Sequence, residues 1–511
     1  MANHTAPVLI AGSWQTPEPL GSFQPENPTN GEVLPEIFPV SGPHQVKQML
    51  RAGNEAAAVL WQTGGEQIAN FLERFATGIE AKAGELVELA HAETGLAKTP
   101  RLKDAELPRT TDQLRQAASA ARSGSWRRPI RDDVRKIYSC FGPLGGPVVV
   151  MGPNNFPFAF NSAAGGDFAA AIAAHNPVIA KANTGHPGTT RLFAELAFAA
   201  VKEVGLHPAT VQMCYRLPAE VGLELVADPL VGATAFTGSK EAGLKLKRAA
   251  DAAGKPIYLE MSSVNPVILL EGALRERGEA IAEEFFGSCT MGAGQFCTNP
   301  GLVILPASDA GNAFIVAARQ RFSAAQGGVL LNRGVSRGLT ESVDILQRAG
   351  AEILCGGAAL PGPSLRFANT LLRASSEAFL SRPLEFQTEA FGPVALLVMA
   401  KNTEQTIAIL RDLEGNLTGS IYSDSRGADE IEYARIESVL RQRVGRLLND
   451  KMPTGVAVSP AMNHGGPFPA TGHPGFTAVG MPTSIQRFTA LHSYDNVPVS
   501  RLPGCLRAPS N

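Results

Sequence analysis

The chain has 511 residues, 44% of them hydrophobic and 18% charged, with a formal net charge of -2. That length is too great for one ordinary domain, and the composition is that of a globular protein with a large core. The near balance of charge, without a long run of one sign, speaks against nucleic acid or an anionic membrane as the main partner.

The segment Met1 to Trp14 has neither a basic start nor a long apolar stretch, so no signal peptide is read there, and a cytoplasmic protein is expected. The most apolar runs, at 148–151 and 266–270, are too short to cross a bilayer. Residues 15–45 are rich in Pro and Gly and predict an irregular arm or edge hairpins. From Val46 to Arg122, Leu72, Phe75 and Ile79, then Leu86, Leu89 and Ala90, recur at helical spacing between charged residues. The polar stretch RRPIRDDVRKIYSC, at 127–140, breaks that pattern and ends in strand-like alternation.

The rhythm then changes. GPVVVMGP (146–153), PVIAK (177–181), TVQMC (210–214), GATAFTG (232–238) and PIYLE (256–260) predict five short strands. Helices are predicted between and after them, at about Ala163 to Ala174, Thr190 to Val204, Glu220 to Ala227 and from Lys240. Alternation of this kind makes a parallel sheet, which binds ligands beyond the carboxyl ends of its strands. Asn155, Lys181, Thr237 and Glu260 fall at or just past those ends. A second α/β stretch runs from Pro266 to Asp450. The last sixty residues carry little helix signal, and MNHGGPFPATGHPG (462–475) is a long loop of the kind that is functional or a linker.

Six cysteines are scattered without CxxC or Cys/His ligand spacing, so no disulfide framework and no metal site is expected. The default for each is a small buried hydrophobe. Cys297, in GAGQFCTNP, follows a glycine-rich stretch, and a thiolate there suits covalent attack on a carbonyl, with a neighbouring backbone N–H to hold the oxyanion. A cysteine beside glycine is, however, more often structural. Glu260 ends an apolar strand, where desolvation would raise its pKa and suit it to act as a base; pairing with a lysine or arginine is the alternative. Asn155 can donate to an oxyanion or simply make a turn. FTGSKEAG (236–243) feeds a glycine turn into a helix N-terminus, an anion site in principle, but it is not GxGxxG.

The joint order of NNFP, the lysine of PVIAK, FTGS, EMSS (260–263), GQFC and EAFGP (389–393) resembles the aldehyde dehydrogenase superfamily over about residues 10–500. The resemblance implies an α/β fold with a Rossmann-type cofactor domain (1–126 and 141–258) and an α/β catalytic domain (259–455). A β oligomerisation arm and C-terminal segment (127–140 and 456–511) would pair with a second subunit, giving a homodimer or a tetramer. It implies Cys297 as nucleophile, Glu260 as the base that activates water, and Asn155 with the Cys297 N–H as oxyanion hole. Lys181 would hold the adenosine ribose, Gly238 and Ser239 the pyrophosphate, Glu389 the nicotinamide ribose, and Phe391 would pack beside the ring.

Departures from the family pattern refine this. Thr184 stands where many members carry an acid that would repel a 2′-phosphate, and Arg216 falls close to where a cation would pair with one. NADP is therefore expected over NAD. EMSS, PTGV (453–456) and HGGPFPAT (464–471) resemble the branch of NADP-linked fatty aldehyde and 2-oxoglutarate semialdehyde (2,5-dioxopentanoate) dehydrogenases. Within PRTTDQLRQAA (108–118), Arg109 and Gln113 share a helical face and are expected to meet the distal carboxylate of a semialdehyde. A fatty aldehyde is the alternative substrate. A coenzyme A-acylating enzyme is disfavoured by Glu260, and a catalytically silent relative by the presence of Cys297, Asn155 and Glu260.

Overall fold

The computed structural model describes residues 5–16 and 18–507. The extreme ends of the expected cofactor domain (1–4) and of the C-terminal segment (508–511), with Pro17, lie outside the described residues. The helical pattern of 46–122 resolves into helices Pro43–Gln62, Gly65–Ala81, Ala83–Thr94 and Leu107–Ser123, with an irregular helical segment Lys98–Glu106 before the last. Leu72, Phe75, Ile79, Leu86 and Ala90 are fully buried, each large side chain contributing about 1.5–3 kcal/mol by leaving water. Gly95 and Gly124 end two of these helices at φ of 68° and 64°, a conformation that costs glycine nothing.

These helices pack against a seven-stranded sheet ordered Ile257–Glu260, Ala233–Thr237, Val148–Met151, Val178–Lys181, Val211–Cys214, Val8–Ile10, Ser13–Gln15. The first five strands are parallel and the last two run antiparallel. The chain moves outward from Val148–Met151 in both directions, so the sheet switches direction between that strand and Ala233–Thr237. Parallel α/β sheets bind ligands at such a switch. Two predicted helix starts move. The first begins at Gly166 because the Asn161 side chain ties down the preceding turn, donating to the Pro157 carbonyl and accepting from Ala163 N–H. The second begins at Pro187, where fixed φ suits a first helical residue, and the buried Glu93 carboxylate accepts from Gly188 and Thr189 N–H.

A second seven-stranded sheet is ordered Glu352–Cys355, Thr370–Ser375, Val394–Ala400, Leu302–Pro306, Val267–Leu269, Asn416–Tyr422, Val444–Asn449, parallel except at its first pair. Its strands bury both faces, as sheets covered on both sides do. Ile268, Leu302, Ile304, Leu396 and Val398 enter one core, and Val267, Leu269, Val303, Leu305 and Leu397 the other. Ile137–Gly142 lies between Ile130–Asp132 and Ala490–Asp495 in a three-stranded antiparallel sheet. No helix among the described residues is long and apolar enough to cross a membrane.

Candidate active site

The register of the first sheet aligns Met151 with Lys181 and Phe236, and Thr237 with Glu260, so the strands end level. Beyond them opens a cleft of about 430 Å³ whose wall includes Asn155, Lys181, Gly238, Ser239, Glu389 and Phe391, with Glu260 and Cys297 also facing it. Eight residues expected to act, scattered over 237 positions from Asn155 to Phe391, thus meet in one space (391 − 154 = 237).

The Cys297 loop is built by backbone conformation. Gly292, Ala293 and Gly294 are all left-handed, and a Cβ at Gly294 would lie 2.1 Å from the Gly392 carbonyl oxygen, so GAG and FGP pack backbone to backbone. The Asn265 amide donates to the Cys297 and Asn299 carbonyls at 2.9 and 2.8 Å and fixes the loop to the second sheet. Burial, then the neighbouring Glu260, push the Cys297 thiol well above its usual range, and Arg109 opposes them. At neutral pH the resting group is therefore a thiol, which needs a base to become a nucleophile.

The Asn155 amide donates one hydrogen to the Gln295 carbonyl at 2.9 Å, which ties it to the Cys297 loop and leaves its second hydrogen for an oxyanion. Its backbone is gripped from behind. Arg101 donates to the Asn155 carbonyl at 2.8 Å and pairs with the buried Glu106 at 3.1 Å, while Glu106 accepts from Phe158 and Ala159 N–H. A lysine at 101 would keep the charge beside Glu106, but its single nitrogen cannot hold both partners. Arg101→Lys is expected to lower kcat about tenfold or more with KM little changed, because a displaced oxyanion donor costs the transition state and not the substrate. Steady-state kinetics beside a melting curve check this; an unchanged kcat in a folded variant would remove Arg101 from the positioning of Asn155.

Glu260 is paired, though with neither the lysine nor the arginine considered from sequence. Its carboxylate meets His464 Nε2 at 2.9 Å, and the same nitrogen lies 3.3 Å from Cys297 Sγ. His464 went unassigned in the sequence because it lies 167 residues from Cys297 in a segment poor in regular structure. It is held by close packing of glycines. Glu260 bridges Thr471, the Gly465 carbonyl passes where a Cβ on Gly445 would stand, and a Cβ on Gly466 would strike Asn416. The repeated glycines of HGG were the available signal. The imidazole nitrogen links the sulfur to the carboxylate, and Glu260 can polarise a water.

The cofactor candidates divide. Lys181 ends its strand in the cleft wall, paired with no carboxylate among the described residues, and burial followed by Arg216 lowers its pKa. The Ser239 hydroxyl caps helix Lys240–Ala252, whose N-terminus adjoins the cleft. Burial raises Glu389 to about 7. An unpaired, half-buried cation, a helix N-terminus and a carboxylate along one cleft suit a dinucleotide's ribose hydroxyls and pyrophosphate. Thr184 and Arg216 are exposed and lie outside the cleft's lining, Arg216 one strand over from Lys181. Arg109 and Gln113 also lie outside it, on helix Leu107–Ser123. Arg109 donates to the Val456 carbonyl, lies over the Phe160 ring at 4.9 Å and is felt electrostatically by Cys297, yet its Nε and Nη2 are buried without partners among the described residues. Gln113 donates to the Ala159 carbonyl and leaves its Oε1 unpaired beside a smaller cavity that Glu260 and His464 also line.

A family model described as the aldehyde dehydrogenase family matches residues 14–439. Alpha-ketoglutaric semialdehyde dehydrogenase 2 of Azospirillum brasilense is 36% identical, over 97% of this chain and 95% of that protein. Alpha-ketoglutaric semialdehyde dehydrogenase of Acinetobacter baylyi is 35% identical, over 94% and 92%. The crystal structure of lactaldehyde dehydrogenase from Escherichia coli superposes with a TM-score of 0.82 at 21% identity, covering 96% of this chain and 98% of that one.

Proposed function

The chain belongs to the aldehyde dehydrogenase family, and from that premise we propose that it oxidises 2-oxoglutarate semialdehyde to 2-oxoglutarate with NADP as hydride acceptor and water as acyl acceptor. Aldehyde oxidation with NAD or NADP is the family's activity, and this chain is an aldehyde-oxidising oxidoreductase. The observation that carries the mechanism is the meeting of Cys297, Asn155 and Glu260 at one end of the cleft. Cys297 attacks the aldehyde carbon once its proton has passed to solvent, and Asn155 donates to the oxyanion that forms. A nicotinamide dinucleotide bound along Lys181, Ser239 and Glu389 supplies the hydride acceptor. Glu260 then takes a proton from water, which attacks the thioester carbonyl and frees the Cys297 sulfur as the acid leaves. The net exchange is aldehyde, water and oxidised cofactor for acid, reduced cofactor and a proton.

Two features support the finer reading. Thr184 offers a 2′-phosphate no opposing charge, with Arg216 one strand away. The unpartnered Nε and Nη2 of Arg109 suit a substrate carboxylate. The rings of Phe156 and Phe160 under that arginine, with Phe296 packed against Phe156, favour a second reading, an apolar long-chain aldehyde. Crossing NADP and NAD with 2,5-dioxopentanoate, succinic semialdehyde and a long-chain aldehyde separates the two. The highest kcat/KM is expected for NADP with 2,5-dioxopentanoate. Arg109→Ala should then raise its KM about 10–100-fold, the worth of a charge-assisted hydrogen bond, and spare the uncharged aldehyde. A preference for NAD removes the Thr184 argument, and an unchanged KM removes Arg109 from the carboxylate. The same reading gives the three-stranded sheet, with Ile130, Val134 and Leu491 exposed, the role of an arm that a second copy joins by strand addition.

A further inference from the structure

Glu260, Cys297 and His464 offer a carboxylate oxygen, a sulfur and an imidazole nitrogen within 4.8 Å of one another. These are the donors that zinc takes, and three protein ligands with an open fourth position is a common zinc arrangement. A tetrahedral ion with bonds of about 2.3 Å to sulfur and about 2.0 Å to nitrogen and oxygen spaces its ligands roughly 3.3–3.5 Å apart. The sulfur–nitrogen and nitrogen–oxygen separations are 3.3 and 2.9 Å, so those two pairs need open only by a few tenths of an ångström, and the sulfur and oxygen lie within 4.8 Å of each other. His464 already faces both partners through one nitrogen, where an ion would replace the shared proton. Sequence spacing hides the set, since each donor comes from a different segment: a strand end, the left-handed GAG loop and the glycine-packed C-terminal loop.

Charge points the same way. Two anions side by side in a confined site repel. A divalent cation would balance a thiolate and a carboxylate together. Arg109, over the Phe160 ring, and Arg446 are nearby charges that oppose it.

We propose that Cys297, His464 and Glu260 form a reversible inhibitory site for a zinc-class divalent cation. Binding forms metal–sulfur, metal–nitrogen and metal–oxygen bonds and sends the thiol proton, with the extra proton of an imidazolium, to solvent, the neutral ring keeping its proton on Nδ1; nothing is oxidised or reduced. The sulfur lone pair that attacks the aldehyde and the carboxylate that activates water are then both engaged, so turnover stops until the ion is removed. Only this inhibition rests on the proposed catalytic roles; the binding does not.

The test is anaerobic titration of the metal-free enzyme with cobalt(II), followed by the thiolate-to-cobalt charge-transfer band and the visible bands of a tetrahedral ion. One equivalent is expected to saturate the signal, and zinc to displace it. Cys297→Ala should abolish the charge-transfer band, and His464→Ala should weaken binding at least tenfold, with circular dichroism confirming that both variants are folded. Cys505→Ala, which removes a thiol elsewhere, should leave the signal intact. No charge-transfer band, or one that survives Cys297→Ala, overturns the proposal. Zinc inhibition reversed by a chelator accompanies the expected result. An enzyme that gives the bands yet oxidises no aldehyde when metal-free would keep the site and overturn the catalytic reading instead.

Discussion

Cys297→Ala is expected to lose at least about ten-thousand-fold in turnover while cofactor affinity stays within a few-fold, because no other group can make the covalent bond to the carbonyl carbon. His464 and Glu260 flank the sulfur, so neither can substitute without leaving the other's reach. Cys289 is fully buried behind the loop, with its thiol pushed up to about 12 by burial, and is no substitute nucleophile. In the wild type, burial and Glu260 hold the thiol protonated, so raising the pH increases the thiolate fraction and should speed acylation. Stopped-flow measurement of reduced-cofactor formation, with and without prior alkylation, gives both results. Turnover within tenfold of wild type in the alanine variant would remove Cys297 from the chemistry.

Glu260→Gln separates the two halves of the reaction. Glutamine keeps the shape and its contact with His464 but cannot take a proton from water. Steady-state turnover is expected to fall about 10²–10⁴-fold, the usual worth of a general base. A burst of one reduced cofactor per subunit should remain, since the acyl-enzyme forms before water is needed. Intact-mass measurement should then find the acyl group on Cys297. A burst slowed as much as the steady state would assign Glu260 to activation of the thiol instead of to water.

The strands of the first sheet could be read from the sequence because parallel strands buried on both faces are short apolar runs closed by turn residues, as VVVM and VIAK are. Glu260, Lys181 and Thr237 stand where a strand-end argument puts them, Thr237 opposite Glu260 and Lys181 one register position earlier. Helix starts were less legible where a side chain overrides propensity, as Asn161 and Glu93 do. The partners of the site were the hidden part. Arg101, Glu106 and His464 act through contacts across 54, 52 and 167 positions, and no local pattern encodes such distances. Arg109 and Gln113 do share a helix, and each donates to one distant backbone carbonyl while leaving buried polar atoms idle, which depends on the segments that face them.

The glycine-packed loop that carries His464 has a consequence for synthesis. The chain is made from its N-terminus, so Cys297 emerges 167 residues before the histidine that neighbours it. At roughly 5–20 residues per second, that gap lasts on the order of 10–30 s. Through that interval the sulfur has neither its imidazole neighbour nor the 464–472 segment against Glu260. The nascent polypeptide therefore carries an uncovered thiol, and the site is complete only when the final stretch is laid across the ends of strands finished long before.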